Sequence, residues 1–155
     1  MIGKSENITI LNTLTTTLID SVEGYRDAAQ NTESGRFQEL FRQMADDRNT
    51  CVEDLRAEVR RLGGDAEDDQ STMGSLHQRW LDLKAAITGR DDKAIVNEVE
   101  RGEDYLKDKF EAALKTDELS GESRPVVERA YQSVREGHDK VSALKHGFSV
   151  LRAPG

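Results

Sequence analysis

An all-α chain folded as a four-helix bundle is what the sequence predicts, and three observations carry that expectation. The chain of 155 residues contains only two prolines, so long stretches are free of helix breakers. Apolar residues recur at three- and four-residue spacing, and the strict alternation of strands is almost absent. Four of the periodic segments have matched lengths, roughly 36 to 42 Å at ~1.5 Å per residue, as helices that pack side by side require.

The first helix is expected from about Glu6 to Asn31, with Leu11, Leu14, Leu18, Val22, Tyr25 and Ala29 on one stripe. Thr32-Glu33-Ser34-Gly35 breaks it, and Ser34 caps the next. The second helix, about Gly35 to Leu62, turns Phe37, Leu40, Phe41, Met44, Cys51, Leu55, Val59 and Leu62 inward. Arg60 and Arg61 suit its negative end, and Gly63-Gly64 stops it. Asp65 to Ser71 holds four acids and almost nothing apolar, and reads as an exposed loop. A shorter helix, about Thr72 to Ile87, carries Met73, Leu76, Trp80, Leu83 and Ile87 as a buried stripe. The next long helix runs from about Asp92 to Lys115 with Ile95, Val99, Gly102, Leu106, Phe110 and Ala113 inward. Pro125, at a first-turn position where its missing N–H costs little, opens the last, with Val127, Ala130, Val134, Val141, Leu144 and Phe148 inward.

Residues 1–150 thus form a single helical bundle domain, and residues 151–155 a frayed tail. The first two long helices are joined by a tight turn and must be antiparallel neighbours. The segment between the second and the next long helix can cross the whole bundle. This is the one-crossover arrangement of ferritin-like folds, with an extra short helix in the crossover.

Composition excludes several functions. Charged residues make up 34% of the chain and the net charge is −8, which argues against general nucleic-acid binding. No apolar run approaches the ~18 residues of a membrane helix, and Met1 to Ser5 lacks the apolar core of a signal peptide. The expectation is a cytoplasmic protein that engages neither membrane nor nucleic acid, with self-association into a homo-oligomer left open. One cysteine, Cys51, excludes a disulfide framework or a Cys-x-x-Cys site and reads as an inert buried thiol. No phosphate loop, nucleophile elbow or zinc pattern is present, so no catalytic residue is assigned.

Polar residues on apolar stripes are where chemistry can hide. Arg48 sits between Met44 and Leu55, Glu98 between Ile95 and Gly102, Glu103 beside Val99 and Leu106, and His138 between Val134 and Val141. Glu23 lies at the edge of the first stripe, and Tyr25 and Tyr131 can bring hydroxyls to the same level. The spacing predicts a central polar layer of Arg48, Glu98, Glu103, His138 and Tyr25. Read functionally, Glu23, Glu98, Glu103 and His138 would be carboxylate and imidazole ligands of iron or another divalent metal. Read structurally, they form a hydrogen-bonded ion cluster, which the fixed charge of Arg48 and the lack of any Glu-x-x-His pair favour. Gly24, Gly102 and Gly137, in mid-helix, are expected to serve close packing. His77, close to the stripe of the short helix, reads as an ordinary partly buried histidine.

Gly24-Tyr25-Arg26 with Ala28-Ala29, Arg48, Leu62-Gly63-Gly64, Gly74 to Lys84 with His77 and Trp80, Thr88-Gly89, Glu100 to Asp104 and His138-Asp139 together resemble a bacterial ferritin-like family, the domain of unknown function 2383. The resemblance implies a ferritin-like bundle and no established activity. Against the wider superfamily, Glu23 and a carboxylate of the helix from Asp92 resemble single-glutamate ligand positions. Asp47 and Thr50 take the Glu-x-x-His positions of the second helix, and Arg135 and His138 those of the last. The expectation is therefore a non-enzymatic binding, interaction or stress-related protein in which a polar cluster replaces the di-metal site. The alternatives are an iron-handling protein or oxidoreductase with a reduced site, and an oligomeric scaffold.

Overall fold

The computed structural model describes residues 4–65 and 92–152, with side chains over 6–65 and 92–146. It contains α1 (Lys4–Asn31), α2 (Gly35–Arg61), α3 (Asp92–Lys115) and α4 (Arg124–Arg152). The expected short helix at 72–87, with His77 and Trp80, lies outside the described residues. α4 continues through Leu151 and Arg152, which were expected in the tail.

Each boundary has a local cause. Ser34 caps α2 by accepting the Phe37 N–H at 3.4 Å. At the other end Gly63 adopts φ +83°. Its N–H reaches the Arg60 carbonyl and that of Gly64 the Val59 carbonyl, both at 2.9 Å, which is the Schellman arrangement. A Cβ on Gly64 would press on Ile8, at 2.8 Å from Cδ1, so α1 closes over this stop. The Arg124 guanidinium donates to the carbonyls of Leu114 (2.6 Å) and Thr116 (3.1 Å), and so ties off the C-terminus of α3 from the first turn of α4.

The helices form a closed ring in which α1 packs on α2 and α3, and α4 on α3 and α2, leaving α2 and α3 diagonal to each other. Contacts at the two ends give the directions. Asp92, opening α3, accepts the backbone N–H groups of Glu33 and Ser34 in the α1–α2 turn. Ser120 and Ser123, before α4, meet Asn7 near the start of α1, and Ser123 also meets Glu58 near the end of α2. Hence α1 and α4 run one way and α2 and α3 the other, and residues 66–91 connect opposite ends of the bundle.

The predicted stripes make the core. Leu11, Leu14, Leu18, Val22, Tyr25 and Ala29 of α1 are all buried, as are Phe41, Met44, Leu55 and Val59 of α2. Ile95, Val99, Leu106 and Phe110 of α3 and Val127, Ala130, Val134 and Val141 of α4 complete it. Phe37, Leu40, Leu62 and Leu144 are half-buried at its margin. Buried hydroxyls are satisfied within α1, Thr15 on the Leu11 carbonyl at 2.7 Å and Thr32 on that of Ala28 at 2.5 Å. Among the described residues no helix is long and apolar enough to cross a membrane.

Because only a residue without Cβ adopts the left-handed conformation at 63 cheaply, G63A is expected to lower unfolding stability by about 1 kcal/mol. Urea denaturation monitored by circular dichroism measures it, and an unchanged midpoint would refute this role for Gly63.

Candidate functional site

Three of the predicted polar residues meet at the centre of the bundle. Arg48 of α2 reaches across the diagonal to Glu103 of α3 as a bidentate pair, Nη1 to Oε2 at 2.8 Å and Nη2 to Oε1 at 2.5 Å. Tyr25 of α1 donates its hydroxyl to Glu103 Oε2 at 2.7 Å. Its ring also lies under the guanidinium, with Arg48 Cζ 5.7 Å from the centroid. Ser21 accepts a further Nη1 hydrogen bond at 3.2 Å, while Arg48 Nε is buried with no partner. Both charged side chains are sealed, Arg48 at 0% and Glu103 at 1% exposure.

The fourth helix contributes by having no side chain. A Cβ at Gly137 would collide with Arg48 Nη2 and Met44 Cε, so the α4 backbone lies directly over the guanidinium. Close packing was the expectation for this glycine, and the groups packed on it are the Arg48 guanidinium and the Met44 methyl. At Gly102, by contrast, no atom of the described residues lies within 4 Å of a Cβ built there.

Burial and charge act in opposite directions on these groups. Desolvation alone would lower the Arg48 pKa, but the adjacent Glu103 carboxylate outweighs it and raises it. The Tyr25 phenol is pushed well above its ordinary value, first by burial and then by the Glu103 charge. Burial likewise raises the Cys51 thiol, which contacts Ser133. Cys51 is thus a protonated core residue, as expected of an inert thiol.

The other predicted members of the layer sit elsewhere. Glu98 is five residues before Glu103, which turns it about 140° around α3. It pairs instead with Arg101 on its own helix at 3.0 Å. His138 follows the core-facing Gly137 by one residue and emerges at the α3–α4 seam, where Nε2 lies 2.6 Å from Asp104 Oδ1. Glu23 is 37% exposed beside Arg26 at 3.7 Å. Tyr131 donates to Glu111 at 2.6 Å, on the same seam. Asp47, Thr50 and Arg135 are exposed, because the inward register of α2 runs through Arg48 and Cys51 and that of α4 through Val134 and Gly137.

The di-metal donor set implied by the resemblance is therefore not assembled. Glu23, Glu98 and His138 face three different surroundings, and both Glu103 oxygens are engaged by Arg48 and Tyr25. Among the described residues no three His, Cys, Asp or Glu side chains gather as a metal site requires. These residues do not fit such a centre.

A second polar network, at the end of the bundle, escaped the sequence reading. Glu58 is buried and accepts from Arg61 at 2.8 and 2.5 Å and from Ser123 Oγ at 2.7 Å. Asn7 Nδ2 donates to Ser123 Oγ at 2.8 Å, and Asn7 Oδ1 accepts the Ser120 N–H at 3.1 Å. The Arg61 hydrogen bonds hold the Glu58 carboxyl below its usual range. The available signal was the one that revealed Arg48: Asn7 stands one turn before Leu11, and Glu58 between Leu55 and Leu62, both in register with apolar stripes.

Fold and site together define an all-helical four-helix bundle built around a buried ion cluster. Residues 6–116 match the family profile described as a domain of unknown function, DUF2383, and the chain belongs to that family. The matched span covers α1 to α3, so His138-Asp139 falls beyond it. No curated protein matches the chain.

Two predictions follow from the cluster's chemistry. R48M and E103L alone are each expected to cost about 3–5 kcal/mol, since each strands a buried charge. The double variant should lose far less, and additive losses in a denaturation cycle would contradict direct pairing. Tyr25, whose folded pKa is raised, stabilises the fold fully below the ordinary phenol value of 10.0, and this contribution is lost as pH rises through the folded value. Phenolate absorbance of Tyr25 should therefore appear only with alkaline unfolding, and Y25F should abolish that component.

Proposed function

We propose that this chain is a ferritin-like bundle that works by binding or interaction through its outer surface rather than by metal-centred catalysis. The observation that carries the reading is the saturation of Glu103. Both oxygens of this carboxylate, the one acid at the centre of the core among the described residues, are held by Arg48 and Tyr25 within 2.5 to 2.8 Å. A guanidinium occupies the place where a bridging cation would need to stand, and a cation there would meet repulsion from it. The ring order of the helices and the single long connection between opposite ends support the ferritin-like assignment. A cytoplasmic location accords with this reading.

Elemental analysis of protein purified without chelator, followed by anaerobic ferrous titration, tests the proposal. Metal well below one ion per chain that leaves on dialysis is the expected outcome. Tight retention of about two ions per chain, as di-iron bundles show, would overturn it.

A further inference from the structure

One helix of the ring departs from the surface chemistry of the others. α1 runs from Asn7 to Ile19 without a charged residue, and no comparable run stands in α2, α3 or α4. Leu11, Leu14, Thr15 and Leu18 of this stretch face the core. Its outward side carries Ile8, Thr9, Asn12, Thr13, Thr16 and Ile19, of which Ile8, Asn12, Thr16 and Ile19 are half-buried. By contrast α2 exposes Arg42, Asp46, Asp47 and Glu53, and α4 exposes Glu128, Arg129, Arg135 and Glu136. Threonine and isoleucine suit a water-facing helix poorly, because β-branching lowers helix propensity and the solvent side is ordinarily charged. Packing on that side supplies what propensity does not.

The course of the chain leads to the same face. Gly64 abuts Ile8, and the Asp65 carbonyl accepts the Asn12 side-chain amide at 3.2 Å, so the chain leaves α2 across the first half of α1. It returns at Asp92, bonded to Glu33 and Ser34 just past the end of α1. Residues 66–91, outside the described ones, therefore start and finish against the two ends of α1. The helix expected from the sequence over 72–87 would span about 24 Å at ~1.5 Å per residue, against about 28 Å of α1 between Asn12 and Asn31.

We propose that the stripe of Met73, Leu76, Trp80, Leu83 and Ile87 docks along the outer face of α1, parallel to it, and that the uncharged face exists to receive it. Charge agrees with this alignment. Past Ile19 the outward side of α1 carries Asp20, Glu23 and Asp27 against the single base Arg26. A parallel course brings Arg79 and Lys84, which flank the stripe, and then Arg90 toward that half. A segment tethered at both ends meets the face at an effective concentration of about millimolar, which a second copy reaches only in concentrated solution. The proposal goes beyond the binding role argued above and does not rest on it; a face covered by its own chain is closed to outside partners.

Trp80 is the only tryptophan of the chain, so its fluorescence reports the contact in the unaltered protein. Emission to the blue of solvent-exposed indole and weak quenching by acrylamide are expected, both unchanged on dilution. T16K and T13K/T16K place charge on the face while improving helix propensity. On an open face they would leave stability equal or higher. With the segment docked they should move the Trp80 emission to the red, strengthen quenching and lower the urea midpoint, while circular dichroism shows the bundle still helical. T50K, the same exchange on the exposed side of α2, should do none of this. Solvent-like emission from the unaltered protein would overturn the proposal, as would emission unmoved by T13K/T16K. A red shift on dilution, together with loss of a dimer in light scattering, would give the face to a second copy and overturn it equally.

Discussion

The pairing of Arg48 with Glu103 is the constraint around which the bundle is arranged. A guanidinium and a carboxylate at 0% and 1% exposure persist only if each meets the other in good geometry, and the bidentate contact does so across the diagonal of the ring. Every helix answers to that requirement. α1 supplies Tyr25 as a third member, α2 and α3 carry the ions, and α4 gives up a side chain at Gly137 to pass over the guanidinium. An apolar stripe tolerates a range of rotations about a helix axis, whereas a two-pronged ion pair does not. The pair thus sets the register of α2 against α3 more narrowly than leucine packing would.

The polar networks at the two ends extend the same logic. Asp92 uses the exposed N–H groups of the α1–α2 turn, and Glu58 with Asn7 and Ser123 pins the α3–α4 connection. The Glu58 network satisfies polar side chains that would otherwise be buried without partners. Together with the cluster the two end networks join α1 and α2 to α3 and α4 at both ends and in the middle of a core that is otherwise almost wholly apolar.

For function, the central consequence is negative in form and informative in content. Among the described residues, Glu23, Glu98 and His138 are dispersed to seams and helix surfaces, and Glu103 is committed to an internal cation.

Periodicity and punctuation were sufficient to read the four described helices. α3 starts and ends where Asp92 and Lys115 predicted, α2 stops at Gly63-Gly64, and the apolar stripes are the core. Polar residues in register with those stripes pointed to Arg48, Glu103 and Tyr25, because a spacing of three or four residues is a property of one helix and is visible in one sequence. It could not separate Glu103 from Glu98, or Gly137 from His138. A turn or less of helix decides between core and seam, and that rotation is set by the partner helix. Nor could it join Arg48 to Glu103 or Asn7 to Ser123, residues 55 and 116 positions apart in the chain. The sequence by itself determined the extent of the four described helices and which face of each is apolar. Only the tertiary structure decided which polar groups meet, since a buried charge selects its partner by distance in space.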